Sequence, residues 1–130
     1  AALNFVGYSW ADKKVHLEKA LDYIQRALAL KPDNGYIRDS LGWVYFRLGK
    51  IELATKELEA AVKLSPDDPA ILEHLADVYL EGGQVHKALE TYRKSARKFS
   101  GSEKDRKRVL EKISIIEKQG TRRCRGCPGG

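Results

Sequence analysis

The sequence predicts an all-α protein. Three helix-turn-helix units stack in series and a C-terminal helix caps them, giving seven helices. Three observations predict this. Landmark residues recur at one interval of 34. Each interval holds two stripes of apolar residues at helical spacing. A further stripe with one apolar edge follows where a stacked array must be sealed from water.

The interval is read directly. Ala20, Ala54 and Ala88 are each 34 residues apart, as are Pro32 and Pro66, Gly49 and Gly83, Leu41 and Leu75, Tyr45 and Tyr79, and Ala27 and Ala61. This divides residues 1–102 into units 1–34, 35–68 and 69–102. In the second unit Ile37, Leu41, Val44, Tyr45 and Leu48 share a face at spacings of three and four. Gly49 supplies an end for that helix. Ile51, Ala54, Leu58, Ala61, Val62 and Leu64 repeat the spacing, and Pro66 prevents further continuation. Gly42, Ala54 and Ala61 are small where two helices must approach closely. The third unit keeps Leu75, Ala76, Tyr79, Gly83, Ala88, Tyr92 and Ala96. In the first unit, Gly7 and Trp10 align once one extra residue is placed in the Asp12–His16 turn.

Leu41-Gly42, Tyr45, Ala54, Leu58, Ala61 and Pro66 resemble the signature of the tetratricopeptide repeat family. The resemblance covers residues 1–102. Arg38 departs from it at the first aromatic position, and Ser95 at the second small alanine. It implies a right-handed superhelix whose first helix of each pair lines a concave face. LNFVGYSWAD and NGYIRDSLGWVYFRLGK are also similar to the C-terminal part of long bacterial repeat proteins, many of them cell-envelope lipoproteins. That similarity implies an envelope setting and a longer array upstream of residue 1.

Residues 103–118 are expected to form the capping helix, with Val109, Ile113 and Ile116 on the apolar edge and Leu110 beside it. Ser102 suits the N-cap, and Glu103 and Asp105 suit the first turn. Residues 119–130, QGTRRCRGCPGG, read as a disordered basic tail. Cys124 and Cys127 form a single CxxC with no second pair to complete a four-ligand zinc site, so no metal or cofactor is expected.

Charge sharpens the division. The net charge is +6, yet residues 1–97 balance at 14 basic and 14 acidic. All of the excess comes from residues 98–130, with 10 basic and 4 acidic. A neutral body argues against nucleic-acid binding along the array. No apolar run reaches the roughly 20 residues of a membrane span, and no basic-then-apolar leader is visible at the start. His16, His74 and His86 lie on separate elements, and no catalytic or phosphate-binding motif occurs, so no enzyme is expected. Trp10, Tyr45 and Tyr79 share a packing position of the repeat.

The groove follows from the resemblance. The concave positions carried onto this chain are Asn4, Phe5, Tyr8 and Asp12, then Tyr36, Asp39, Ser40, Trp43, Phe46 and Arg47, then Ala70, Glu73, His74, Asp77, Leu80 and Glu81. Tyr8, Tyr36 and Trp43 would be aromatic rings open to a ligand. Glu73, Asp77 and Glu81, spaced i, i+4, i+8, would form an acidic ridge, since like charges at that spacing do not serve the helix itself. The carboxylate clamp of some family members is not expected, because Asn4, Tyr8, Ser40, Ala70 and His74 supply no Lys or Arg. The expected function is a non-catalytic scaffold that holds a protein segment bearing apolar and basic side chains. Two alternatives stand beside it: self-association, and contact of the basic C-terminal region with a nucleic acid or an anionic membrane surface.

Overall fold

The structure, a computed structural model, describes residues 16–124, with side chains through Gly120. Six α-helices occupy it: α1 Leu17–Leu30, α2 Gly35–Arg47, α3 Ile51–Leu64, α4 Pro69–Glu81, α5 Val85–Lys98 and α6 Glu103–Cys124. The helix expected over the first residues, the seventh of the sequence reading, lies outside the described residues, as do residues 125–130.

The boundaries follow from local chemistry. Asn34 caps α2 by accepting the Ile37 amide at 3.0 Å. Asp68 caps α4 by accepting from Ala70 and Ile71, and Pro69 sits at the first position, where its missing N–H costs nothing. The repeated glycines do the same work twice. Gly49 and Gly83 take φ of 80° and 82°, which a side chain would resist. At each, the following amide closes a 2.9 Å bond to the carbonyl five residues back, Lys50 to Tyr45 and Gln84 to Tyr79. That bond satisfies a carbonyl the helix end would leave bare.

The last helix corrects the sequence reading. It continues past residue 118 to Cys124. Gly120 meets no neighbouring atom and costs a helix only about 1 kcal/mol relative to alanine, too little to end it. Its Ser102 also caps differently from expectation. The hydroxyl donates to Asp105 at 2.6 Å and fixes the first-turn carboxylate.

Packing builds the array from hairpins. A Cβ on Gly42 would lie 2.6 Å from Leu58 Cγ, so α2 and α3 approach through a position with no room for a side chain. Ala20, Ile24 and Ala27 of α1 meet Ile37, Leu41 and Val44 of α2 in one core cluster. A larger cluster runs from Ala54 and Leu58 through Leu75, Ala76, Val78 and Tyr79 to Ala88, Tyr92, Val109, Ile113 and Ile116. Tyr45 packs against both and joins them. Ser95, at the departure from the alanine pattern, is fully buried, and its hydroxyl donates to the Pro69 carbonyl at 2.8 Å.

The helices fall into two rows. α2 touches α4 directly, and side chains of α4 bond to those of α6. The outer helices α3 and α5 both pack on α4 and leave a furrow between them. A stack that closes on one row and gapes on the other is curved, with α2, α4 and α6 on the concave side.

Candidate interaction surface

The inner row carries every described residue of the expected groove. Asn4, Phe5, Tyr8 and Asp12 lie outside the described residues. On α2, Tyr36 is 61% exposed. Asp68, beside its hydroxyl, raises the Tyr36 pKa. Trp43 is half-buried. Its ring sits 4.6 Å from the His74 ring and 5.0 Å from Phe46, centroid to centroid, so it is braced by both. Its Nε1 is buried and meets no acceptor among the described residues. Phe46 and Arg47 stand at the C-terminal end of α2 and share a cleft of about 430 Å³ with Gly49, Ile51 and Glu81. The Arg47 Nε is buried there without an acceptor.

Two α2 residues are placed otherwise than expected. Asp39 and Ser40 are buried, not open to the groove. Ser40 donates back to the Tyr36 carbonyl at 3.1 Å. Asp39 accepts from His74 Nδ1 at 2.8 Å and so ties α2 to α4. Burial opposes a charge on His74. The Asp39 hydrogen bond, and the charges of Asp39, Asp77 and Glu73, outweigh it and raise the His74 pKa.

The acidic ridge is also corrected. Glu73 is buried. It accepts two bonds from the Arg108 guanidinium, at 2.9 and 2.6 Å, and one from Lys112 at 2.8 Å. Lys112 reaches on to Asp77 at 3.0 Å, and the Tyr92 hydroxyl donates to the same carboxylate. Burial would raise the Glu73 pKa, but the bonds and charges of Arg108 and Lys112 lower it. Burial would lower the Lys112 pKa, but Glu73 and Asp77 raise it. Glu81 alone of the three remains exposed. The ridge is therefore a seam between α4 and α6 whose cations come from this chain.

Arg108 and Lys112 are the site residues that the sequence reading missed. A signal existed. Asp39 to His74, Glu73 to Arg108 and Asp77 to Lys112 are each 35 residues apart. That is one repeat plus one residue, the reach from one inner helix to the next. Leu80 and Ile115 continue the α4 and α6 stripes with exposed apolar side chains. The inner row thus offers internally balanced charge and, around it, the rings and aliphatics of Tyr36, Trp43, Phe46, Leu80 and Ile115. Among the described residues no group of three or more His, Cys, Asp or Glu converges on a metal position. No described helix is long and apolar enough to cross a membrane.

Two family models described as tetratricopeptide repeat match this chain, one over residues 9–76 and one over residues 71–102. A TPR repeat-containing protein, PA4667 of Pseudomonas aeruginosa, is 40% identical over 57 residues, which are 44% of this chain and 10% of that protein. The type III secretion translocator chaperone SycD of Yersinia enterocolitica superposes with a TM-score of 0.82 at 16% identity, over 92% of this chain and 83% of that one. A second structure of SycD, in complex with a peptide of the translocator YopD, superposes with a TM-score of 0.79 at 16% identity, over 92% of each chain.

Proposed function

The chain belongs to the tetratricopeptide repeat family, and on that premise we propose that it is a non-catalytic scaffold whose inner row holds a segment of a partner protein. The observation that carries this reading is the pair Tyr36 and Trp43. One ring is 61% exposed, and the other is braced against Phe46 and His74 on the same wall. A ring held in place, as Trp43 is, loses little freedom on binding, and aromatic side chains are among the residues that carry interface energy. The SycD structure with a translocator peptide supports the reading as a case of this fold holding a peptide.

The charge logic differs from a simple acidic groove. Glu73 and Asp77 already have their counterions in Arg108 and Lys112. A basic side chain of the partner would have to displace them. Affinity therefore comes from apolar side chains seated on Tyr36, Trp43, Phe46 and Leu80. Charge preference is left to Arg47 and Glu81 at the end of the row. Such binding changes little with salt, because screening acts on exposed charges and not on apolar contacts.

A photo-crosslinking amino acid at Tyr36 in the full chain tests this. It should give a discrete adduct with one partner, and Trp43→Ala should reduce that adduct about tenfold or more. The same probe at Glu52, on the outer row, should give none. Equal labelling from both positions would defeat the proposal.

A further inference from the structure

The outer row holds a second surface that the inner groove does not use. α3 and α5 flank α4 without closing over it, and a furrow of about 410 Å³ opens between them. Its floor is apolar, made by Leu72, Leu75 and Tyr79 of α4 with Val62 of α3. Its rim is basic. Lys63 projects from α3 and Lys94 from α5, with Thr91 between.

Two lysines outnumber the one carboxylate of the lining, and neither lysine is paired with it. Glu59, the acidic residue of the lining, accepts the Tyr79 hydroxyl at 2.5 Å. Lys87, one turn before Thr91, lies over the Tyr79 ring at 5.6 Å. Lys98, one turn after Lys94, pairs with Asp67 at 2.8 Å. Lys63 and Lys94 are exposed and form no ion pair among the described residues. Lys87, Lys94 and Lys98, at i, i+7 and i+11, fall on the α5 edge that faces α3.

We propose that this furrow is a second docking site, which takes a short acidic segment of a partner protein. One apolar side chain of that segment enters over Leu72 and Leu75, and flanking carboxylates pair with Lys63 and Lys94. Charge complementarity selects this occupant. A basic segment would be repelled by the two lysines of the rim, Lys63 and Lys94. A nucleic-acid backbone carries its charge without an apolar side chain to seat and would leave the floor of Leu72, Leu75 and Val62 unused. The site faces away from Trp43, so a segment in the groove and one in the furrow can be held together. Two linked contacts of ordinary strength then act as one strong one.

The test is a titration of the isotope-labelled full chain, followed by amide shifts, with an acetylated and amidated peptide Glu-Leu-Asp-Leu-Glu-Glu. The expected result is saturable shifts at Val62, Thr91 and Lys94. They should persist in Trp43→Ala, a change on the inner row that touches no residue of the furrow lining, with the folded state of that variant checked by its melting profile. They should weaken at least tenfold in the double variant Lys63→Glu, Lys94→Glu. Both lysines are exposed, so the melting profile of that variant should match the parent and exclude unfolding as the cause. Shifts confined to α2 and the inner face of α4, equal binding by the double variant, or equal binding of the Lys-for-acid peptide would each overturn the site. Saturable furrow shifts with a single-stranded oligonucleotide instead of the peptide would overturn its class of partner.

Discussion

The inner and outer rows of this array are built from the same repeated hairpin, and they solve opposite problems. In the inner row each helix is bonded to the next. Asp39 meets His74, and Glu73 and Asp77 meet Arg108 and Lys112. In the outer row α3 and α5 stay apart, and one exposed pair, Lys98–Asp67, reaches back from α5 to the α3–α4 turn. The two helices of each repeat thus carry charges with different duties. On the inner side they bond one inner helix to the next. On the outer side Glu57 and Glu59 bond inward, to Arg38 and Tyr79, and among the described residues no ion pair joins α3 to α5.

The first way to break that comparison is to remove what both rows stand on. Leu58 is fully buried beneath Gly42 and belongs to the core shared by both. Leu58→Ala should cost about 2–5 kcal/mol in a denaturant titration, through lost contacts and the cavity left behind. The second acts on the inner row alone. Glu73→Gln keeps the shape and removes the charge that Arg108 and Lys112 approach. It should cost about 1–2 kcal/mol, at the low end for a buried pair because Arg108 keeps 44% of its side chain in water. A double-mutant cycle with Arg108→Ala should recover most of that cost as coupling. A Glu73→Gln protein as stable as the parent would mean that the ridge is a free surface after all.

The third sharpens the comparison through pH. The folded state raises the His74 pKa above its ordinary 6.5. Its contribution to stability is therefore complete below about pH 6.5 and is lost as pH rises through the raised value. Denaturation midpoints measured from pH 6 to 9 should fall across that window in the parent. They should fall less in Asp39→Asn, which keeps an acceptor for His74 but removes the Asp39 charge. The smallest effect belongs to the outer row. Asp67→Ala breaks a pair in which Lys98 is 46% and Asp67 80% exposed, and should change stability by no more than about 0.5 kcal/mol. A larger loss there would erase the distinction between the rows.

Much of this was legible in the residues. The 34-residue interval between Gly49 and Gly83 located two helix ends that the backbone closes with identical hydrogen bonds. Gly42 marked a helix contact with no room for a side chain. Tyr36 and Trp43 were readable as inner-row rings because the repeat fixes which helix faces inward. Glu73 was not readable in the same way. At i, i+4, i+8 with Asp77 and Glu81 it has only like charges as neighbours along its helix, and its cations lie 35 and 39 residues away. The extent of α6 was misread for a local reason, since Gly120 is a helix breaker by composition but not by energy.

By itself the sequence determined most of the periodic part of the protein: the helices α1 to α5, the turns at Gly49 and Gly83, and the apolar stripe that each of these helices buries. These depend on neighbours within one or two turns, and the chain carries that information at every repeat. The tertiary structure alone decided which charges are spent. Pairing across helices depends on the distance between side chains one repeat apart, and that distance exists only after the stack has curved. Curvature brought Arg108 and Lys112 onto Glu73 and Asp77, and the same curvature parted α3 from α5 and left Lys63 and Lys94 facing an open furrow.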